Sequence, residues 1–158
     1  MTTRVLLMIL LVALGCGQQP AATTVSIKVF PAVLAGGPES EPPPGWTSVE
    51  YTGGPHGRVG VYHLAPEPLI TDWNILTFRD AAQPNGSMAI VARLNAYGQG
   101  KMTTFSSEAA NLKKPLVVQV DGRTADVFTL LSSTTDRVTL YGFTVAEAER
   151  LKNYFTTR

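Results

Sequence analysis

Apolar and polar residues alternate along several short stretches of this chain, and a period of two residues predicts β-strands. The stretches with this spacing are TVSIKVF (24–30), RVGVYHL (58–64), the two runs that flank Asn85-Gly86 within 76–95, LVVQVDG (116–122), TADVFTLLS (124–132) and DRVTLYG (136–142). Alternate positions from Met88 to Leu94 share an apolar face opposite Arg93, which predicts a sheet with one buried face. Asn85-Gly86 predicts a type I′ hairpin turn, because both residues tolerate a positive φ.

The apolar period lengthens to three and four residues in 97–114 and again in 143–155, which predicts two helices. The first apolar stripe consists of Met102, Phe105, Ala109 and Leu112, and the second of Val145, Ala148, Leu151 and Phe155. Thr144 and Glu147 form a capping box, in which their side chains satisfy free N–H groups of the first turn. A further short helix is predicted at 69–75.

From residue 58 the predicted order is strand, short helix, two strands, helix, three strands and helix. The first six elements match a split β-α-β-β-α-β (ferredoxin-like) core, followed by a C-terminal hairpin and helix. This order predicts a two-layer α+β domain at 58–158, with helices on one face of a mostly antiparallel sheet. Residues 25–57 are predicted to form an N-terminal strand and then a Pro/Gly-rich loop, which begins at Pro31.

The first residues have the pattern of a lipoprotein signal peptide (1–15). Arg4 precedes an apolar run from Val5 to Leu14, which is too short for a membrane span of about 20 residues and suits the core of a signal peptide. Ala-Leu-Gly-Cys resembles the bacterial lipobox, although Leu is more usual than Ala13 at its first position. We therefore expect lipidation of Cys16 and a tether over 16–24. The alternative is an ordinary secretory signal, with Cys16 removed or left as a free thiol.

Composition narrows the classes of function further. The length of 158 residues suits one domain, and the single cysteine excludes a disulfide framework within the chain. The formal net charge is +1, which provides no long-range field to attract nucleic acid. We expect no nucleic-acid partner and no cofactor.

Few residues in the sequence are candidates for catalysis or metal binding. Asp121 precedes Gly122 between two predicted strands, where both residue types are preferred for turns, and no partner acid or base accompanies it in the sequence. We therefore interpret Asp121 as a turn residue and not as a catalytic carboxylate. The group richest in metal-ligating side chains consists of His56, His63, Glu67 and Asp72. Its spacing matches no compact zinc motif.

Two tryptophans are candidate anchors for a binding partner. Trp73 is expected to pack in the interior, and Trp46, beside the prolines, is left open.

Segments between residues 67 and 151 carry a family resemblance, with their motifs in the same order. FSSEAANLKKPLVVQVDGRTADV (105–127), followed by VTLYGFTVAEAERL (138–151), resembles the head of the first periplasmic domain of the preprotein translocase subunit SecD, or of fused SecDF. EPLITDWNI (67–75) and IVARLNAYGQGKMTTF (90–105) resemble upstream parts of the same head. The matching positions are Leu69, Thr71, Ile75, Leu94, Asn95, Gly98, Phe105, Asn111, Lys114, Leu116, Val118, Asp121, Gly122, Gly142, Phe143, Thr144, Glu147, Ala148 and Leu151.

The resemblance covers roughly 58–156, and it has two departures. The family often has Ser-Ala-Pro after the turn, where this chain has Arg123-Thr124-Ala125, and the family's subunits carry transmembrane segments that the chain after residue 16 lacks. In the family the head is thought to contact emerging polypeptide, whereas proton-coupled export depends on the membrane part.

Together with the lipobox, the resemblance implies a non-enzymatic, lipid-anchored protein of the bacterial cell envelope that faces the periplasm or cell exterior. Its partner would be unfolded secretory polypeptide or a translocase or envelope component, and its role would be accessory to protein export. The alternative is a small periplasmic metal-dependent hydrolase that uses His56, His63, Glu67 and Asp72.

Overall fold

The structure of the protein, a computed structural model, describes residues 24–36, 41–133 and 136–158. These parts of the chain contain nine strands and two α-helices, with 3₁₀ turns at Asp72–Asn74 and Asn111–Lys113. In chain order the elements are β1 (Ile27–Leu34), β2 (Thr47–Tyr51), β3 (Gly60–Leu64), β4 (Ile70–Thr71), β5 (Ile75–Ala82), β6 (Met88–Leu94), α1 (Ala96–Ser107), β7 (Leu116–Val120), β8 (Arg123–Phe128), β9 (Arg137–Phe143) and α2 (Val145–Thr157). The predicted signal peptide (1–15) and Cys16 lie outside the described residues.

The strands form two antiparallel sheets, and together with the two helices they confirm the predicted α+β class. The larger sheet has the strand order β2-β3-β1-β7-β8, and β4 also pairs with β1; the smaller sheet has the order β5-β6-β9. The predicted β-α-β-β-α-β core is therefore not one sheet, because β3 and β7 lie in the larger sheet and β5 and β6 in the smaller one. An apolar period tells which face of a strand is buried, but it does not tell which strand lies beside it.

β1 lies inside the larger sheet, between β3 and β7. Phe30 is opposite Val117 of β7, and Val33 is opposite His63 of β3. The loop predicted from Pro31 therefore begins later, because β1 continues to Leu34. Pro31 occupies the position where the neighbour of β1 changes from β4 to β3, and an interrupted ladder tolerates a residue without an N–H group. Residues 25–57 thus supply β1 and β2 to the same sheet as β3, β7 and β8.

Both faces of the larger sheet carry apolar side chains. The main core lies on one face and includes Leu116, Val118 and Val120 of β7, together with residues of the smaller sheet and both helices. Val117, between them, points to the other face, where a second cluster consists of Ala32, Tyr51, Tyr62, Leu64, Val117 and Val127. Burial on both faces explains why β7 has a nearly continuous apolar sequence and not a strict alternation.

The first helix is shorter than its apolar stripe predicts. α1 ends at Ser107, so Ala109 and Leu112 of the stripe lie beyond it, in a turn and a 3₁₀ segment. Residues 69–75 do not form the predicted helix. They form the short strand β4 and the first of the two 3₁₀ turns.

The β5–β6 hairpin has a longer loop than the predicted type I′ turn. Ala82 and Met88 are the last paired residues, and the Gly86 N–H donates to the carbonyl of Gln83 over 3.0 Å. Gly86 has a positive φ of 80°, whereas Asn85 does not. The type I′ prediction is therefore wrong at this position.

The second helix begins as predicted. The Thr144 hydroxyl accepts from the Glu147 N–H, and the Glu147 carboxylate accepts from the Thr144 N–H, so the capping box is present. Ala148 and Leu151 are buried in the main core, but Val145 is exposed. Within the described residues no helix has the length and apolar content to cross a membrane.

Candidate functional site

The four residues of the hydrolase alternative do not form a metal site. His63 is buried in β3, where its Nδ1 lies 2.9 Å from the Ser48 hydroxyl, and His56 lies in the β2–β3 loop against Asp126. In the part of the chain that the structure describes, no group of three or more His, Cys, Asp or Glu side chains is placed to hold a metal ion. Nothing in this geometry supports the hydrolase alternative.

Asp121 occupies the turn between β7 and β8, as its position before Gly122 predicts. Both residues have a positive φ, of 50° and 84°, which is the geometry of a type I′ turn. The Asp121 carboxylate accepts from the Ser26 N–H over 2.8 Å and from the Arg150 guanidinium over 2.7 Å. These contacts connect the turn to the start of β1 and to α2, so the side chain has a structural function.

A buried polar cluster that the sequence did not indicate lies at the edge of the second apolar cluster. Asp126 of β8 is 0% exposed. Its Oδ1 accepts from the Tyr51 hydroxyl over 2.8 Å, and its Oδ2 lies 2.8 Å from Nδ1 of His56. We call Tyr51, His56 and Asp126 the polar centre. The ring of His56 is partly exposed and lies against Tyr141, with ring centroids 4.2 Å apart.

The contacts of the polar centre fix the orientation of the imidazole. An ionised carboxylate only accepts hydrogen bonds, so Nδ1 of His56 is the donor to Asp126 and Nε2 is left for another partner. Burial, followed by the hydrogen bond to Asp126, raises the pKa of Tyr51 above its ordinary value. The Tyr51 hydroxyl therefore stays protonated and donates to the carboxylate throughout the physiological range.

The loop that carries His56 needs glycine to reach Asp126. A Cβ atom on Gly57 would lie 2.7 Å from the ring of Tyr51 and 2.5 Å from the side chain of Val127, which is closer than carbon atoms pack. The backbone can therefore approach β8 only without a side chain at this position. The sequence GGPHG indicated a turn here, but it did not indicate that the turn brings His56 into hydrogen-bond contact with Asp126, 70 residues further along the chain.

Several large apolar side chains are exposed near the start of β5. Trp73 is 67% exposed, so the prediction that it packs in the interior is wrong; the guanidinium of Arg158 covers its ring at 4.5 Å. Leu76 is 54% exposed, and Tyr97 of α1 is also exposed. The Asn95 side chain donates to the Trp73 carbonyl over 2.9 Å, which connects the start of α1 to this region. Trp46, left open by the sequence, is partly buried.

β5 is an edge strand with a cavity beside it. It pairs with β6, and no other described strand pairs with its second side. A cavity of about 390 Å³ lies between β5 and α2, lined by Leu76, Phe78, Phe155, Asp80 and Lys152 among others. Lys152 contacts Asp80 over 2.9 Å, and this hydrogen bond holds the pKa of Asp80 below its ordinary value. We call the unpaired side of β5, with this cavity, the β5 edge.

These features define a small α+β domain with two antiparallel sheets, an open edge strand and a buried polar centre. No protein-family model matches the chain, and no curated protein matches it. Similar solved structures include two of SecDF. One is described as a membrane component SecDF that enhances protein export, with 21% identity, a TM-score of 0.46, and coverage of 58% of this chain and 41% of that chain. The other is SecDF in a super-membrane-facing form, with 21% identity, a TM-score of 0.47, and coverage of 58% and 12%.

The likeness to SecDF agrees with the SecD-like domain that the sequence motifs predict, and it concerns the fold alone. The chain spans less than half the length of either matched chain.

Proposed function

We propose that this protein is a non-enzymatic lipoprotein of the bacterial cell envelope that binds extended segments of polypeptide and serves as an accessory to protein export. The observation that carries the binding is the β5 edge, an eight-residue strand with one side unpaired among the described strands. The sequence motifs shared with SecD heads motivate the connection to export.

An unpaired edge strand is a template for another strand. Its free N–H and C=O groups can pair with the backbone of any extended segment, whatever the sequence of that segment. Alternate side chains of the added strand point to the same face, and on one face they would meet the cavity lined by Leu76, Phe78 and Phe155. Backbone pairing with an apolar cavity suits a partner that is unfolded and varies in sequence.

The two sheets also end in β2, β8 and β9, but the features favour β5, which has the most residues of these end strands. β2 has five residues and β5 has eight, so β5 offers a longer ladder. Leu76 is exposed at the start of β5, whereas the exposed residues of β2 include Thr47, Ser48 and Glu50. We therefore use β2 as the internal control for binding.

The binding is tested with the full chain and a fluorescent polypeptide that reduction and alkylation keep unfolded. Leu76→Lys places a charge beside the β5 edge, and such charges oppose strand addition. We expect this change to weaken binding roughly tenfold. Val59→Lys makes the same change at an exposed position just before β3, so it should leave affinity unchanged. Equal affinity of both variants and the wild type, measured by fluorescence anisotropy, would contradict binding at the β5 edge.

The location of the added strand is tested by amide hydrogen exchange. On binding, the amides of Ile75–Ala82 should exchange more slowly, while those of Thr47–Tyr51 in β2 should not change. Protection confined to β2, β8 or β9 would place the polypeptide at another sheet end and refute our assignment.

The anchor is tested at Cys16, whose lipidation is our proposal from the lipobox. We expect mass spectrometry of membrane extracts to find the amino-terminal cysteine acylated. A Cys16→Ser variant should leave the membrane fraction. Retention of this variant in washed membranes would contradict a lipid anchor at this position.

A further inference from the structure

A cavity of about 430 Å³ opens beside the polar centre, and its volume suits a small ligand, since such pockets measure about 300–1,000 Å³. Its walls come from β1, the β2–β3 loop, β3, the segment before β7, and β8 with the residues after it. Most of the lining is apolar: Leu34, Tyr62, Pro115, Val127, Phe128 and Leu131.

The charged groups of this cavity are positive or can become positive. His56 and Arg58 line it, and no acidic residue does. Among the described residues, no carboxylate lies within ion-pair distance of the Arg58 guanidinium, and Arg58 is exposed. A guanidinium with free donors is well suited to bind a carboxylate through two hydrogen bonds.

Asp126 contacts Nδ1 of His56, and this contact orients the imidazole so that it can bind an anion. Because Nδ1 of His56 is held by Asp126 at 2.8 Å, Nε2 remains for a ligand. When the imidazole is protonated, the buried carboxylate balances its charge, and Nε2 becomes a second donor beside Arg58. The close approach of the Gly57 backbone to Tyr51 and Val127 places the neighbouring His56 beside Asp126.

The remaining lining of the cavity offers apolar contact. Leu131 is 97% exposed and lines the cavity with Phe128 and Pro115. A ligand that fits this lining carries both an anionic group and an apolar body.

We propose that the polar-centre cavity binds an apolar carboxylate, with the carboxylate at Arg58 and His56 and the apolar body against Leu131 and Phe128. The same chemistry occurs in a free fatty acid and in the carboxyl terminus of a peptide that ends in apolar residues. This site lies on the larger sheet, so it does not rest on the proposed binding of polypeptide at the β5 edge.

The proposal is tested by isothermal titration calorimetry on the full chain in lipid nanodiscs, with empty nanodiscs as the blank. The probes are octanoate, and acetyl-Leu-Leu as the free acid and as the amide. We expect at least one acid to bind and the amide to bind roughly tenfold more weakly than its acid. Tighter binding of octanoate would indicate a fatty acid, and tighter binding of acetyl-Leu-Leu a peptide terminus. If neither acid binds, or if acid and amide bind equally, the proposal is wrong.

Variants then locate the site. Arg58→Gln should weaken binding of the acid roughly tenfold, and Arg58→Lys, which keeps the charge, should restore part of the affinity. The side chain of Arg58 makes no hydrogen bond to another described residue, so neither change threatens the fold. Arg93→Gln, at an exposed arginine of β6, is the matched control and should bind as the wild type does. Equal binding by Arg58→Gln and Arg93→Gln would overturn the assignment.

Discussion

At the scale of single residues, the polar centre shows how a charged group is accommodated in a small apolar core. A carboxylate that is removed from water without partners is strongly unfavourable. Asp126 has a donor for each oxygen, from Tyr51 and His56, at 2.8 Å in both cases. The end of β2 and the adjoining β2–β3 loop are thereby joined to β8, which lies 75 and 70 residues further along the chain.

We predict that Tyr51→Phe destabilises the protein by about 1–3 kcal/mol at neutral pH, because Oδ1 of the buried Asp126 loses its donor. Urea unfolding followed by circular dichroism measures this change. Tyr97→Phe, at an exposed tyrosine of α1, removes a hydroxyl without such a contact and should change the free energy of unfolding very little. Equal stability of the two variants would contradict the importance of the polar centre.

The same tyrosine makes stability depend on pH in the alkaline range. Burial raises the pKa of Tyr51 and of Tyr62 in the folded state, so the folded protein holds these protons more tightly than the unfolded chain does. The stabilisation that these two tyrosines provide is complete below about pH 10, the pKa of tyrosine in the unfolded chain, and it is lost as the pH rises above that value. We therefore expect the free energy of unfolding to fall from about pH 9.5 upward, and to fall less steeply in Tyr51→Phe.

The sequence could not predict the polar centre. Asp126 looks like the polar residue of an alternating strand, and the GGPHG segment looks like a turn. Both interpretations are correct locally. The cluster forms because the sheet brings Asp126 next to two residues that lie 70 and 75 positions earlier in the chain. A local pattern of apolar and polar residues does not show such long-range contacts.

At the scale of elements, the two helices differ in how well the sequence predicts them. The start of α2 is fixed by a side-chain signal, the capping box of Thr144 and Glu147, and the prediction is correct there. α1 begins after Asn95, whose side chain accepts from the Gly98 N–H. The predicted stripe continued past Ser107 because Ala109 and Leu112 have the same spacing, although Ala109 is exposed and Leu112 packs against the main core from a 3₁₀ segment.

We predict that Thr144→Ala destabilises the protein by about 1 kcal/mol, because the N–H of Glu147 loses its acceptor at the first turn of α2. Thermal unfolding of the purified variant measures the effect. Thr103→Ala, at an exposed position inside α1, is the control and should be neutral or slightly stabilising, since alanine favours helix. A larger loss in Thr103→Ala than in Thr144→Ala would contradict the capping role.

At the scale of the whole molecule, the position of β1 determines what can fold alone. The sequence pattern changes near residue 58 and suggested that a domain begins there. In the structure β1 separates β3 from β7, and Ile27 and Val29 are buried in the main core. The Pro/Gly-rich composition after Pro31 predicted a loop, so the sequence did not indicate that β1 is a central strand. Such a composition indicates where regular structure ends, but it does not indicate which sheet the preceding strand joins.

We predict that a chain of residues 58–158 does not fold, because it lacks the strand that both β3 and β7 require. A chain of residues 24–158, which keeps β1, should unfold cooperatively in urea. Near-ultraviolet circular dichroism distinguishes the two, since fixed aromatic side chains give a signal that a loosely packed chain lacks. A cooperative transition of 58–158 with the same midpoint would show that β1 is dispensable.

The hydrogen bond from the Ser26 N–H to Asp121 joins residues 95 positions apart, and this distance has a consequence for biogenesis. When a chain crosses a membrane with its amino terminus first, β1 reaches the far side long before β7 does. Ile27 and Val29 then remain without their β7 neighbour until the last third of the chain has crossed. Under the proposed export of this protein, the chain would itself pass through the unfolded, exposed-strand state that its proposed partners present.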